Sequence, residues 1–452
     1  MARAQFANKG HGRYAKTMRG NIVHASAGEL SYEIREIVDF GLELEREGIK
    51  LVWENIGDPV AKGETIPDWI KEIIMEAIKE NSTFAYSPTK GLLETRKFLS
   101  TLRTKEGGEK LEADDILFFN GLGDAVSKVY TYLNKNARVL GPSPAYPTHS
   151  SAEAAHAESH HLTYQLNPYR NWLPDIEDLR NKIRYNEAIS GILIINPDNP
   201  TGMIYPERVL KEIVSIAKEF DLFLISDEIY SNIYYGPEKF VSLSQVLDGV
   251  PAIVMKGLSK EIPWPGARCG WIEVYNKDKD ESFARYIKTI NDAKMLEVCA
   301  TTLPQKVLPK IFSDPRYEEH LKNRRDAYKE RAETACKILG EIKGISVVKP
   351  SGAFYLTVVF DQDAISGDKT IPIKSEKIKS LIEKKVATLK EGELDKRFVY
   401  YLMGGAHICV VPLSGFNTNL YGFRMTLLEE NKEKFEKILK DLGEAIEKYL
   451  SS

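Results

Sequence analysis

Lys260 and Arg268 stand eight residues apart, in Gly257-Leu258-Ser259-Lys260 and Pro265-Gly266-Ala267-Arg268-Cys269-Gly270. A lysine can form a Schiff base with a carbonyl compound, and an arginine carries a permanent charge in a planar fork that matches phosphate oxygens. Side by side in a loop, the pair points to pyridoxal 5'-phosphate. Other stretches offer complementary groups. Asn120-Gly121-Leu122-Gly123-Asp124 lies between an apolar run and a helical pattern, an order that aims backbone N–H groups and a positive helix end at an anion. The phosphate is expected there, on Leu122, Gly123 and Asp124. In Asn196-Pro197-Asp198-Asn199-Pro200-Thr201-Gly202 the prolines and the glycine fix a loop and leave an amide to donate to an anionic oxygen.

These groups need strands to hold them. Ile116-Leu117-Phe118-Phe119, Ile192-Leu193-Ile194-Ile195, Leu222-Phe223-Leu224-Ile225 and Ile253-Val254-Met255 are short apolar runs, each followed within a few residues by one of the polar stretches. Such runs, alternating with helical patterns, read as buried strands of an open α/β sheet, whose ligand crevice lies past the carboxyl ends. Helices are expected over 30–48, from Pro67, over Val209 to Phe220 and at the C-terminus, with a long helical region interrupted at Asp314-Pro315. The helix from Pro67 is expected to bury Trp69, Ile70, Ile73, Ile74, Ala77 and Ile78. Residues 361–398 are charged and lack a strong period, so they read as a solvated surface excursion.

Gly-Leu-Ser-Lys followed by Arg-x-Gly-Trp, with the Asn-Pro-x-Asn-Pro-Thr-Gly string upstream, resembles the class I/II aminotransferases, the fold type I pyridoxal-phosphate enzymes. The resemblance runs from about Asn55 to Leu428. It implies that Lys260 carries the cofactor and moves protons, that Asp227 pairs with the pyridine nitrogen, and that Asn199 and Tyr230 donate to the 3'-oxygen. It makes Tyr146 the ring-stacking aromatic, Arg268 a phosphate ligand, and Arg424 with Asn199 the grip on the substrate carboxylate, Gly57 lying close by. It implies a homodimer in which Tyr86 reaches the neighbour's phosphate. Taken alone, Gly57 reads as well as a turn glycine, and Tyr86 as a half-buried loop aromatic. Gly257 replaces a serine common in the aspartate-specific branch, which favours the alanine and tyrosine types.

The implied fold is α/β. A large domain, residues 66–315, carries a mostly parallel sheet flanked by helices, and a smaller α/β domain is built from both chain ends: an arm and segment at 1–65, then an interdomain helix and C-terminal domain at 316–452. The implied reaction moves an amino group from an L-amino acid to a 2-oxo acid by a ping-pong route. A pyridoxal-phosphate-dependent lyase would share nearly all these residues and stays open, with a non-catalytic cofactor-binding regulator as the second alternative. The stretch Asn291 to Leu303, where dicarboxylate-specific relatives supply an arginine, holds Lys294 and no arginine. That favours a neutral amino donor, although a lysine can bind a distal carboxylate.

The bulk numbers agree. The chain has 452 residues, 43% hydrophobic and 28% charged, with a formal net charge of −3, which gives no reason to expect nucleic acid or membrane as partner. Four scattered cysteines, Cys269, Cys299, Cys336 and Cys409, read as reduced thiols in a cytoplasmic setting. The basic run Arg3, Lys9, Arg13, Lys16 and Arg19 is expected to be an ordered arm, with a mitochondrial targeting segment as the weaker alternative.

Overall fold

The computed structural model describes residues 22, 23, 27 and 33–452. The basic residues Arg3 to Arg19 lie outside that set. The chain begins with α1 (Glu33–Arg46) and β1 (Val52–Trp53), followed by α2 (Asp68–Ala77) and α3 (Leu93–Lys105). Strands and helices then alternate: β2 (Ile116–Phe119), α4 (Leu122–Thr131), β3 (Arg138–Ser143), α5 (Pro147–Ala157), β4 (Leu162–Asn167), β5 (Leu173–Pro174), α6 (Ile176–Arg184), β6 (Ile189–Ile195), α7 (Glu207–Glu219), β7 (Phe223–Asp227), β8 (Ala252–Gly257) and β9 (Gly270–Tyr275). Helices α8 (Glu281–Glu297), α9 (Thr302–Ser313) and α10 (Arg316–Leu339) come next. The last part holds β10 (Ile345–Val347), β11 (Tyr355–Phe360), α11 (Glu376–Val386), α12 (Leu394–Gly405), β12 (Ile408–Cys409), β13 (Val411–Pro412), β14 (Gly422–Thr426) and α13 (Lys432–Ser451).

Eight strands form one mixed sheet in the order β2-β9-β8-β7-β6-β3-β4-β5. Strands β8, β7, β6, β3 and β4 are mutually parallel, while β9 runs antiparallel to both β8 and β2. Strand β2 therefore points the same way as β8. The carboxyl ends of β2, β3, β6, β7 and β8 all reach one edge, where an open α/β sheet has its crevice.

Burial on both faces explains the continuous apolar runs. Ile192 and Ile194 of β6 pack with Leu210 and Ile213 of α7, whereas Leu193 and Ile195 face the opposite layer with Val129 of α4 and Ile287 of α8. The smaller sheet, β10-β11-β14-β13, is antiparallel, and β1 pairs in parallel with β12, so the start of the described chain is tied to its last part. Among the described residues no helix is long and apolar enough to cross a membrane.

Two expectations fail here. Ile78 lies just past the end of α2 and is exposed rather than buried. The stretch 361–398 is part of the core of the smaller sheet, with Ile365, Ile371, Ile378, Ile382 and Phe398 all buried. Its lysines and glutamates mask a short inward face in which Ile378 and Ile382 stand one turn apart. Phe398 meets the rings of Phe360, Phe423 and Tyr449 at centroid distances of 4.9, 5.4 and 5.1 Å. Phe398→Ala is therefore expected to cost about 3–5 kcal/mol in denaturant unfolding. A change within about 0.5 kcal/mol would put the stretch back on the surface.

Candidate active site

Past the end of β8 the chain turns, and Lys260 projects into the crevice half-buried. Its Nζ donates to the Gly57 carbonyl at 2.7 Å and lies 5.7 Å from the centre of the Phe354 ring. Burial is the main influence on the amine and lowers its pKa; Asp58 and Asp227 oppose that, Arg424 and Arg268 reinforce it, and the result is about 8. At pH 7 about one amine in ten is then neutral, against about one in three thousand at the ordinary lysine value. Gly257 leaves no room for a serine: a Cβ there would stand 2.9 Å from the Cys269 carbonyl oxygen.

Asp227 ends β7 as a buried carboxylate. Its Oδ1 accepts from the Ile229 N–H at 3.1 Å, and Oδ2 lies 3.1 Å from His149 Nε2. The other ring nitrogen of His149 is 3.5 Å from the Tyr130 hydroxyl. His149 has no local sequence signal, because its partner comes from 78 residues away.

Arg424 sits in mid-strand on β14, opposite Thr357 of β11 and Val411 of β13. Its guanidinium is flanked by the rings of Tyr355 and Phe416, 4.4 and 5.1 Å from Cζ. Such contacts are worth about 0.5–2 kcal/mol and orient the plane. Nη1 donates to Asn199 Oδ1 at 3.2 Å and Nη2 to the Asn55 carbonyl at 2.5 Å, while the buried Nε has no partner. A buried, unpaired guanidinium N–H suits an incoming anionic oxygen. Tyr355, whose role sequence reasoning missed, also bonds the Tyr230 hydroxyl at 3.0 Å and fills the space that a side chain at Gly57 would need.

At the mouth, Gly121 precedes α4 with φ of 89°, and a Cβ on it would collide with the Arg268 guanidinium, whose Cζ would lie 2.8 Å away. Only glycine lets Arg268 approach the first turn of α4, where helix geometry leaves backbone N–H groups unpaired. Arg268 is exposed and donates to the Asn120 and Pro265 carbonyls at 3.2 and 3.1 Å. The Leu122 and Gly123 backbone opens α4, whereas the Asp124 carboxylate accepts from the Asn120 N–H and faces Lys128 and Lys294. Lys294 is fully buried and pairs with Glu297 at 2.8 Å, so it is not free for a distal carboxylate. Tyr146 is half-buried at the start of α5, close to Tyr230 and Tyr355. Tyr86 stands apart, 84% exposed.

A separate cleft of about 880 Å³, lined by Leu222 and Pro251 at the amino ends of β7 and β8, holds none of these residues.

Residues 50–441 match the family described as aminotransferase class I and II, and the chain belongs to that family. It is an aminotransferase. It is 53% identical over 435 residues to an uncharacterised aminotransferase of Methanocaldococcus jannaschii, covering 96% of this chain and all of the relative. It is 31% identical to an alanine aminotransferase of Mycobacterium bovis over 73% of this chain and 76% of that one. The solved alanine aminotransferase from Pyrococcus furiosus superposes with a TM-score of 0.80 at 29% identity, over 93% of this chain and 98% of that one.

The Lys260 environment sets a pH dependence. Labelling of the cofactor-free protein by a small aldehyde, trapped by reduction and read at the Lys260 peptide, is expected to rise with pH about a midpoint near 8. A midpoint close to the ordinary lysine value would show that burial and the neighbouring guanidinium groups leave the amine unchanged.

Proposed function

We propose that the protein uses pyridoxal 5'-phosphate on Lys260 to transfer an amino group from a neutral L-amino acid to a 2-oxo acid. The observation that carries this reading is the meeting of Lys260 with the Gly57 carbonyl beside Arg424, at a crevice edge that also receives Asp227. The residues fit the cofactor and its substrate: glycine-opened space under Arg268 and a buried carboxylate on Asp227 suit the former, and an unpaired guanidinium N–H on Arg424 suits an amino-acid carboxylate. When bound, the cofactor supplies an aldehyde that condenses with amines and a ring that draws electrons from the α-carbon.

The chain's own residues do the rest. Arg268 and the Leu122 and Gly123 N–H groups would hold the phosphate, with Asp124 fixing the turn through the Asn120 N–H. Asp227, oriented by His149, would hold a proton on the ring nitrogen, Tyr146 would offer its face to the ring, and Asn199 and Tyr230 would serve the ring oxygen. Arg424 grips the α-carboxylate beside Gly57, and Lys260 Nζ takes the α-proton as a neutral amine. The first 2-oxo acid product leaves, its amino group left behind, before the second substrate enters, which makes the kinetics ping-pong.

A neutral donor is favoured by the pairing of Lys294 with Glu297 and by curated relatives named alanine aminotransferase. A homodimer is favoured by Phe84 and Tyr86, 74% and 84% exposed, next to exposed Leu296 and Val298; hydrogen bonds from Ser87 to Ala300 and from Thr302 to Ala85 join the two segments. In that dimer Tyr86 reaches the neighbour's phosphate.

With purified holoenzyme, alanine is expected to yield one pyruvate per cofactor without ammonia, and 2-oxoglutarate to restore the original absorbance spectrum. Continuous release of ammonia would replace the transfer reading by a lyase. Lys260→Ala is expected to lower turnover by about 10²–10⁴-fold or more while cofactor still binds through Arg268 and the α4 turn. Retained transamination in that variant would remove Lys260 from the mechanism.

A further inference from the structure

The loop after β8 lies outside the sheet ladder, so its carbonyl groups need partners from elsewhere. Arg324, buried on α10, provides them. One of its nitrogens, Nη1, donates to both the Lys260 and the Glu261 carbonyl at 2.8 Å. The opposite edge of the guanidinium holds the Glu64 carboxylate, Nε bonding Oε1 and Nη2 lying 3.2 Å from Oε2. The Tyr328 hydroxyl closes the group, accepting from Nη2 at 2.9 Å and donating to Glu64 Oε2 at 2.9 Å.

Glu64 belongs to the same segment as Gly57, whose carbonyl takes the Lys260 amine. That segment therefore reaches Lys260 twice, through its side chain at Gly57 and through its backbone by way of Glu64 and Arg324. A second route runs through rings: Tyr328 lies 5.7 Å from Phe354, and Phe354 lies 5.7 Å from Lys260 Nζ. A lysine at 324 would bring a point charge that cannot hold the carboxylate and both carbonyls in one plane.

We propose that Arg324, oriented by Glu64, is the positioning residue that sets where Lys260 Nζ stands in the site. The assignment rests on Lys260 being the cofactor lysine. Arg324 holds Lys260 by its backbone alone and makes no contact with Arg424 or Asn199, whose own partners lie elsewhere, so losing the clamp moves the amine while that pair keeps its place.

The test uses holoenzyme carrying Arg324→Lys, with Glu64→Gln as a second, isosteric variant that keeps the shape of the site. Readouts are kcat and KM for the amino donor and the pH titration of the cofactor's visible absorbance. His320, held down at about 4 mainly by burial and further by Arg324, is neutral through that titration. Arg324→Lys is expected to lower kcat by about 10²-fold, since a displacement of roughly 1 Å in a reacting group can cost that much. KM should change by less than about threefold, because Arg424 and Asn199 keep their contacts, and the titration midpoint should shift. Glu64→Gln should move the same quantities in the same direction by less.

Variants that lose thermal stability but keep the parental kcat and titration would show a merely structural pair and overturn the assignment. A parent protein that takes up no cofactor would overturn the proposed function as well, so the two failures are distinguishable.

Discussion

An amine proposed to act as a base at neutral pH has to lose a proton it would keep in water. Everything around Lys260 bears on that constraint. Burial is the largest influence, and two guanidinium groups act in the same direction, while Asp58 and Asp227 limit the drop, leaving the amine at about 8. Deeper burial without the carboxylates would lower it further; exposure would return it to the ordinary lysine value. The site thus needs a crevice that excludes much of the water yet admits charged residues from several distant segments.

The mixed sheet meets that need. Five strands pointing one way deliver the Gly121 turn, Tyr146, the Asn199 loop, Asp227 and Lys260 to one edge. The smaller sheet supplies Arg424 and Tyr355 from adjacent strands, and the segment after β1 supplies Gly57 and Glu64. Buried polar groups link these pieces: Arg424 joins Asn199 to Asn55, and Tyr355 joins Arg424 to Tyr230. Removing one partner of such a group leaves the other buried and unsatisfied, so the site and its scaffold are energetically coupled.

Much of this was legible in the sequence, for a physical reason. The residues at the strand ends sit in turns whose chemistry is local: prolines and glycines fix the Asn199 loop, and a glycine at positive φ opens α4. What was not legible depends on pairing across the fold. His149 acquires meaning only from Asp227, Tyr355 only from Tyr230 and Arg424, and Arg324 only from the Lys260 and Glu261 carbonyls. The 361–398 stretch was misread because a few buried isoleucines at helical spacing are outnumbered by charges on the opposite face. Lys294, whose type and position suit a distal carboxylate, is taken up by Asp124 and Glu297, partners that only the fold supplies.

The central claim is that one amine, on Lys260, is the point on which cofactor and protein groups converge. Borohydride reduction of the holoenzyme followed by peptide mass mapping tests it most directly. The account predicts a reduced pyridoxyl group on Lys260 at one per chain; a pyridoxyl group on another lysine, or none on a protein that transaminates, would contradict it.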